Sequence, residues 1–339
     1  MDVFLTGGSG FAGHHLISRL IADGHTVWAL ARSPESARRV SEAGAKAVRG
    51  DLARPDEPWL TVLGRCGAVV HAAARMEFWG PDAGFERDNH RPTVALFEAA
   101  ASAGVERFVL ISAAAVSTDG RRGPAVVDEA TATGRPLIAY GRVKLATERA
   151  LAETATPGMT LVILRPPFIW GPGMTTLDDV ASSGRFAFID KGRHVMDFVH
   201  VGNLAAATSA ALRRGRDRGV YYVTDGAPMP IRDFFTPVLG ALGADVSRAP
   251  SVPLAVASPI ARVLDLGARA LRRPTPPPLH NWLIAIMGRD RSYDIGKART
   301  ELGYRPEVAF AAGLEQMRAV RARPAGIAGP GRAPGGSAT

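Results

Sequence analysis

The sequence predicts an α/β fold, a doubly wound parallel sheet with a smaller C-terminal region closing over it. Three observations carry this expectation. Short β-branched or apolar runs alternate with longer stretches of helical spacing through the first half of the chain. A glycine-rich turn follows the first of these runs directly and opens the first helical stretch. After Pro166 the alternation breaks into Gly/Pro-rich loops, shorter helices and few clear strands.

In order, strands are expected at Val3–Thr6, Thr26–Ala31, Ala47–Arg49, Ala68–His71 and Phe108–Ser112. Phe11, His15, Ile17, Leu20 and Ile21 give one intervening helix its apolar face, and Thr93, Leu96, Phe97 and Ala100 give another. A helix around Lys144–Leu151 leads into a further strand, Thr160–Leu164. Residues 1–165 are read as one domain whose sheet is completed by later segments near 195–225. Residues 166–323 form mainly a second region, and 324–339, rich in Gly, Pro, Ala and Ser, a disordered tail.

Composition narrows the partners. The 339 residues are 46% hydrophobic and 22% charged, which fits a globular chain, with a net charge of +9 carried almost wholly by arginine. No dense basic block with interleaved aromatics is present, so no nucleic-acid partner is expected. The single cysteine, Cys66, fits a reducing compartment, and the first residues carry no basic leader, so a cytoplasmic location is expected. No apolar run reaches the roughly 18 residues of a membrane span. Val252 to Leu271, interrupted by Arg262, Asp265 and Arg269, together with Trp282 to Met287, leaves two readings open. One is a half-buried helix, and the other is an amphipathic surface making peripheral membrane contact. The histidines show no metal-ligand spacing with Cys66, so no metal is expected.

Two motifs carry chemistry. Thr6-Gly7-Gly8-Ser9-Gly10-Phe11-Ala12-Gly13 stands between a strand and a helix. Without side chains the backbone there turns tightly and approaches a pyrophosphate, and the helix N-terminus offers amide donors. This makes the first domain a dinucleotide-binding Rossmann domain. An NAD site places a carboxylate at the end of the second strand to take the ribose hydroxyls, but here the chain reads Ala31-Arg32-Ser33. Arg32, with the Ser33 hydroxyl, suits a 2′-phosphate instead, so NADP is expected over NAD. The second motif is Tyr140-Gly141-Arg142-Val143-Lys144, which sets a phenol and an ammonium one helical turn apart. A phenol titrates near ~10, and a neighbouring cation brings it toward the working range. Tyr140 could then exchange a proton with a carbonyl or alcohol oxygen.

Together these residues resemble the extended short-chain dehydrogenase/reductase family, the NAD-dependent epimerase/dehydratase superfamily, over about Met1 to Gln316. Further stretches are similar to that family's: Gly50-Asp51-Leu52, His71-Ala72-Ala73-Ala74, Asn89, Arg165 to Gly173, Asp197 to Val201, Tyr293-Asp294 and Glu301 to Pro306. The resemblance implies that Gly7, Gly10, Phe11, Ala12, Gly13, Asp51, Leu52, Ala72, Ala73, Ala74 and Pro166 contact the cofactor. It also implies that Tyr140 and Lys144 serve both cofactor and catalysis, and that the protein is a homodimer. The Pro-rich apolar stretch from Pro250 to Met287 resembles the 3β-hydroxysteroid dehydrogenase branch.

One position departs from the family. The active-site serine, second of a Ser-Ser pair closing the fifth strand, falls on Ala113, with Ser112 before it. Ser112 is the candidate third catalytic residue. Three readings stay open: Ser112 or Ser117 reaches in through altered backbone, a water or the substrate supplies the donor, or activity is weak.

The expected activity is NADP-dependent interconversion of a secondary alcohol and a ketone, or an alcohol and an aldehyde, on a bulky apolar, steroid-like molecule. The candidate pocket set is Met76, Phe78, Trp79, Phe168, Trp170, Met174, Phe186, Phe188 and Trp282, unless they are core packing. Two alternatives remain: sugar-nucleotide epimerisation or dehydration, and non-catalytic NADP binding. Members of the first kind commonly carry Arg-Asp before Phe-Val-His, where this chain has Met196-Asp197.

Overall fold

A computed structural model describes residues 1–54, 57–120, 125–184 and 186–322, excluding the side chain of Glu57. The expected tail at 324–339 lies outside the described residues. The main sheet has seven parallel strands: β1 (Asp2–Thr6), β2 (Thr26–Ala31), β3 (Lys46–Arg49), β4 (Ala68–His71), β5 (Arg107–Ile111), β6 (Thr160–Arg165) and β7 (Gly219–Tyr222). Their spatial order is β3-β2-β1-β4-β5-β6-β7. The chain therefore reverses direction across the sheet between β1 and β4, where open α/β sheets bind ligands. Near 195–225 only Gly219–Tyr222 joins this sheet, whereas Phe198–His200 pairs with Phe168–Trp170 in a separate two-stranded sheet.

Alternating side chains divide each strand between two cores. Val3, Leu5, Val27, Ala29, Val70, Val109 and Leu164 face Leu16, Ile17 and Leu20 of α1 (Phe11–Ala22) on one side. Phe4, Leu30, Val69, Phe108, Leu110 and Ile163 face the other side. There they pack against Leu63 of α3 (Glu57–Leu63), Leu96 and Phe97 of α4 (Arg91–Ser102) and Leu151 of α5 (Ala139–Glu153). The short helix α2 (Pro34–Glu42) between β2 and β3 is capped reciprocally by Ser33 and Ser36.

The C-terminal region adds α6 (Thr175–Ser183), α8 (Ile231–Ala241), α9 (Leu254–Ala270), α10 (Asn281–Met287) and α11 (Phe310–Ala322), while α7 (Val201–Arg213) packs beneath the main sheet. These helices enclose a separate aromatic core in which the Phe198 and Phe234 rings stack 3.5 Å apart. Trp170 and Phe188 are fully buried there, with Phe168, Met174 and Phe186 packed against them. These five members of the candidate pocket set are thus core residues.

Candidate active site

The glycine-rich turn leaves the C-terminal end of β1 beside the loop that leaves β4. Gly7 has φ +76°, and a Cβ there would stand 2.6 Å from the Ala73 nitrogen. A Cβ on Gly13 would run into the Gly7 carbonyl and the backbone of Gly8. Both glycines serve the fold of the turn itself. Gly10 differs, because its Cβ would meet only the Gly7 oxygen, at 3.4 Å, and it is exposed. Gly10 also begins α1 without a side-chain cap, and no acid stands in the first turn. The first-turn amides of Phe11, Ala12 and Gly13 therefore lack intrahelical acceptors and face an open approach. This cradle fits the pyrophosphate of a dinucleotide.

Thr6, the last residue of β1, holds the β4 loop in place. Its hydroxyl oxygen accepts the Ala73 N–H at 3.2 Å and lies 2.7 Å from Nδ1 of His71, while Ala72 N–H donates to its carbonyl. Nε2 of His71 lies 2.8 Å from the Thr93 hydroxyl, which donates to the Asn89 carbonyl. Asn89 bonds the backbone of Arg75 through both its amide oxygen and nitrogen. Burial, assisted by the Lys144 charge, pushes His71 down to about 3, so it is a neutral spacer within this chain of bonds.

At the far end of β2, Arg32 is exposed and free of ion pairs among the described residues. Ser33 differs from expectation, since its hydroxyl already accepts the Ser36 N–H at 3.1 Å as the α2 cap. Asp51 likewise turns one carboxylate oxygen to the Ala53 N–H, and Leu52 packs on the core. Pro166, buried, gives its carbonyl to Ala114 N–H and so ties the loop after β6 to the turn after β5.

Tyr140, Lys144 and Glu148 stand at successive turns of α5, all buried. The Tyr140 ring packs edge-on to Phe85, and Ala113 and Ala115 lie against the same cluster. That close approach depends on Gly141, where a Cβ would come within 2.7 Å of the Ala115 carbonyl oxygen. The Lys144 ammonium lies 6.0 Å from the Tyr140 ring centre and donates to the Ile111 carbonyl at 3.0 Å. Burial lowers Lys144 to about 8, with Glu148 pulling the other way. Burial raises Tyr140 above the ordinary phenol range, contrary to the expected depression by its cationic neighbour. The neutral phenol is the form that can donate a proton.

Ser112 requires a correction. Its hydroxyl donates to the Glu148 carboxylate, not toward Tyr140. Eight residues of helix, about 12 Å, separate Glu148 from Tyr140. Glu148 is in turn held by Arg165 at 2.5 Å, and Arg165 reaches the Tyr222 hydroxyl at 3.4 Å. Ser117 donates to the Ala114 carbonyl. The alternation of side chains along β5 thus sends Ser112 to an ion pair and leaves Ala113 beside the phenol. Glu148 belongs to no motif of the sequence, and Gly141 enters the Tyr140–Lys144 motif only as a spacer. Spacing of i+8 from Tyr140, and a glycine inside a helix, are their only signals.

A cavity of about 210 Å³ is lined by Phe78, Trp79, Leu137, Ile138, Asp265, Arg269, His280, Asn281 and Trp282. Tyr140, itself outside the lining, packs in one cluster with Leu137, Ile138 and Trp282. Phe78 stacks on Trp282 with ring centres 5.9 Å apart. Asp265 Oδ1 and Trp282 Nε1 are buried there without hydrogen-bond partners among the described residues. Met76, 57% exposed, lies outside the lining. Among the described residues no group of His, Cys, Asp and Glu is placed to hold a metal ion, and no helix is long and apolar enough to cross a membrane.

Comparison with known proteins agrees with this geometry. The NAD dependent epimerase/dehydratase family matches residues 3–223. The chain is 34% identical over 330 residues to a 4-hydroxy-2-methyl-3-oxo-4-farnesyl-3,4-dihydroquinoline-1-oxide ketoreductase of Stigmatella aurantiaca, covering 96% of this chain and 98% of that one. It is 27% identical over 328 residues to a decarboxylating sterol-4-alpha-carboxylate 3-dehydrogenase of Dictyostelium discoideum, covering 93% and 99%. The fold is similar to that of a UDP-glucuronic acid 4-epimerase from Bacillus cereus solved with NAD, with a TM-score of 0.71, 20% identity, and 95% and 96% of the two chains covered. The chain belongs to the NAD dependent epimerase/dehydratase family and is an NAD(P)-dependent oxidoreductase of the extended short-chain dehydrogenase/reductase type.

Proposed function

We propose that the protein reduces a ketone on a bulky, apolar, steroid-like molecule to a secondary alcohol, using NADP. The observation that carries this reading is a buried phenol, one helical turn from a buried ammonium, packed against the wall of an aromatic cavity. The reduced dinucleotide supplies the hydride. Phe11, Ala12 and Gly13 offer amides to its pyrophosphate, and Arg32 takes the 2′-phosphate, with Ser33 restricted to its capping bond. Lys144 orients the ribose hydroxyls. Asp51, Leu52, Ala72 to Ala74 and Pro166 line the remaining contacts.

Tyr140 gives its proton to the ketone oxygen as the alcohol forms. Burial keeps Tyr140 in the protonated form from which it donates but makes the phenolate left behind costly. The step therefore relies on the Lys144 ammonium beside the ring and on return of a proton from solvent. With Ala113 in place of a serine, the site holds one side-chain donor fewer than the family's usual arrangement. Phe78, Trp79 and Trp282 supply apolar contact with the substrate. Support for an apolar substrate comes from relatives named for a farnesyl quinoline oxide and a sterol.

The test is a substrate panel. Purified protein with NADPH is expected to consume cofactor with lipophilic ketones and to leave UDP-sugars unchanged. Conversion of UDP-sugars without net cofactor change overturns the reading in favour of epimerisation. Cofactor binding without turnover of any ketone overturns it in favour of a non-catalytic protein.

A further inference from the structure

Helix α9 is built inside out. Over its 17 residues it turns Ala257, Ala261, Asp265 and Ala268 toward the protein. Five of its six large apolar side chains, Val256, Ile260, Val263, Leu264 and Leu266, point outward, as does Leu271 just past its end, and only Leu254 packs on the core. Val263 is 69% exposed, Leu266 64% and Leu271 71%. At about 100° per residue, these positions together with Gly267 and Ala270 fill one uncharged sector of roughly half the circumference. A water-facing helix has the reverse arrangement, with large apolar groups inward and polar groups outward. Half of the large hydrophobic side chains exposed among the described residues lie in this one stretch.

Charge borders the sector along one edge. Arg262 and Arg269 lie there one above the other, and Arg272 and Arg273 follow its C-terminal end. The sole acid between Leu254 and Arg273 is Asp265, which is buried and accepts from the Asn281 backbone and side-chain amides at 3.2 and 2.7 Å. The same helix reaches the cavity whose wall packs against Tyr140. Asp265 and Arg269 line it, the Arg269 guanidinium lies 4.8 Å from the Trp79 ring centre, and Trp79 Nε1 donates to the Arg273 carbonyl at 2.9 Å.

We propose that α9 docks the protein on an anionic bilayer, its apolar sector in the acyl boundary and its arginines against headgroup phosphates. Docked in this way, the helix brings the cavity to the lipid in which an apolar substrate dissolves. The docking stands on the helix itself, whereas delivery of substrate rests on the reductase reading. A second copy of the chain fits this face less well, because it brings a second set of these arginines and no exposed acid between Leu254 and Arg273 to pair with them.

Flotation of the full chain with vesicles of phosphatidylcholine, alone or mixed with phosphatidylglycerol, tests the proposal. Wild-type protein is expected to bind the mixed vesicles at least about tenfold more strongly than the neutral ones, and less strongly as salt is added. The Val263→Asp/Leu266→Asp variant alters only exposed side chains. It is expected to keep the wild-type melting curve and its turnover of a small water-soluble ketone, and to lose at least about tenfold in vesicle binding. Arg262→Gln/Arg272→Gln is expected to lose the preference for anionic vesicles. The proposal is overturned if wild-type protein binds neither vesicle, or if the Val263→Asp/Leu266→Asp variant binds as wild type. It is also overturned if that variant changes the oligomeric state while no form binds vesicles, which would make the face a contact between copies. Binding is read without turnover, so vesicle binding by a protein inactive on every ketone overturns the reductase reading and leaves docking standing.

Discussion

The floor and the wall of the site are built on different principles. In the floor, the buried polar groups of β1, β4 and α5 satisfy one another, from Thr6 through His71, Thr93 and Asn89 to Arg75, and from Ser112 through Glu148 to Arg165. In the wall, Asp265 Oδ1 and Trp282 Nε1 have no hydrogen-bond partners among the described residues, Phe78 is 42% exposed, and the contacts are aromatic faces. A satisfied network holds one geometry, while an apolar wall accepts a range of shapes. On the proposed reading, chemistry belongs to the floor and substrate selection to the wall.

Breaking the floor is expected to cost most. Glu148→Gln removes the carboxylate that balances the buried Arg165 guanidinium, and a loss of about 3–5 kcal/mol is expected in chemical denaturation. Acid acts on the same half of the site through His71. Folding holds its pKa at about 3, against 6.5 for the free side chain, so the unfolded chain binds the extra proton between those values. The stability this provides is complete above about pH 6.5 and is lost as pH falls toward 3, by about 1.4 kcal/mol per pH unit. Melting curves of His71→Gln are expected to show a shallower acid slope than wild type. A smaller effect is expected at the cofactor's rim. Arg32→Asp should weaken NADPH by about 1.5–3 kcal/mol in a binding titration and NADH far less, and equal losses would remove the phosphate assignment. The wall responds least. Phe78→Ala is expected to raise KM for a bulky ketone about fivefold, through loss of a stacking contact worth about 1 kcal/mol, and to leave kcat and stability close to wild type.

Floor and wall also differ in how far the sequence alone reveals them. Strand and helix positions in the first half follow from local pattern, and Gly7, Gly10 and Gly13 declare a tight turn through their strand-to-helix context. Tyr140 and Lys144 are legible because i,i+4 spacing on a helix fixes their common face. Ser112 is not, because strand alternation names a face without naming the partner waiting there, and Glu148 sits in a distant helix. Ser33 has the chemistry of a phosphate ligand, but a hydroxyl at a helix start bonds its own backbone first. The aromatic residues of the C-terminal region are ambiguous for a similar reason, since one composition serves a core or a pocket. Only the fold separates Trp170 and Phe188 from Phe78, Trp79 and Trp282. For α9 the sequence shows the periodicity but not its direction, and burial of Ala257, Ala261 and Ala268 decides it.

The most direct measurement is ketone reduction by Tyr140→Phe, with NADPH binding followed in the same samples. The variant removes one oxygen from a residue whose ring stays packed on Phe85. A fall in kcat of about 10²–10⁴ with unchanged cofactor affinity is expected. Turnover within a few-fold of wild type would contradict the assignment of the buried phenol as proton donor.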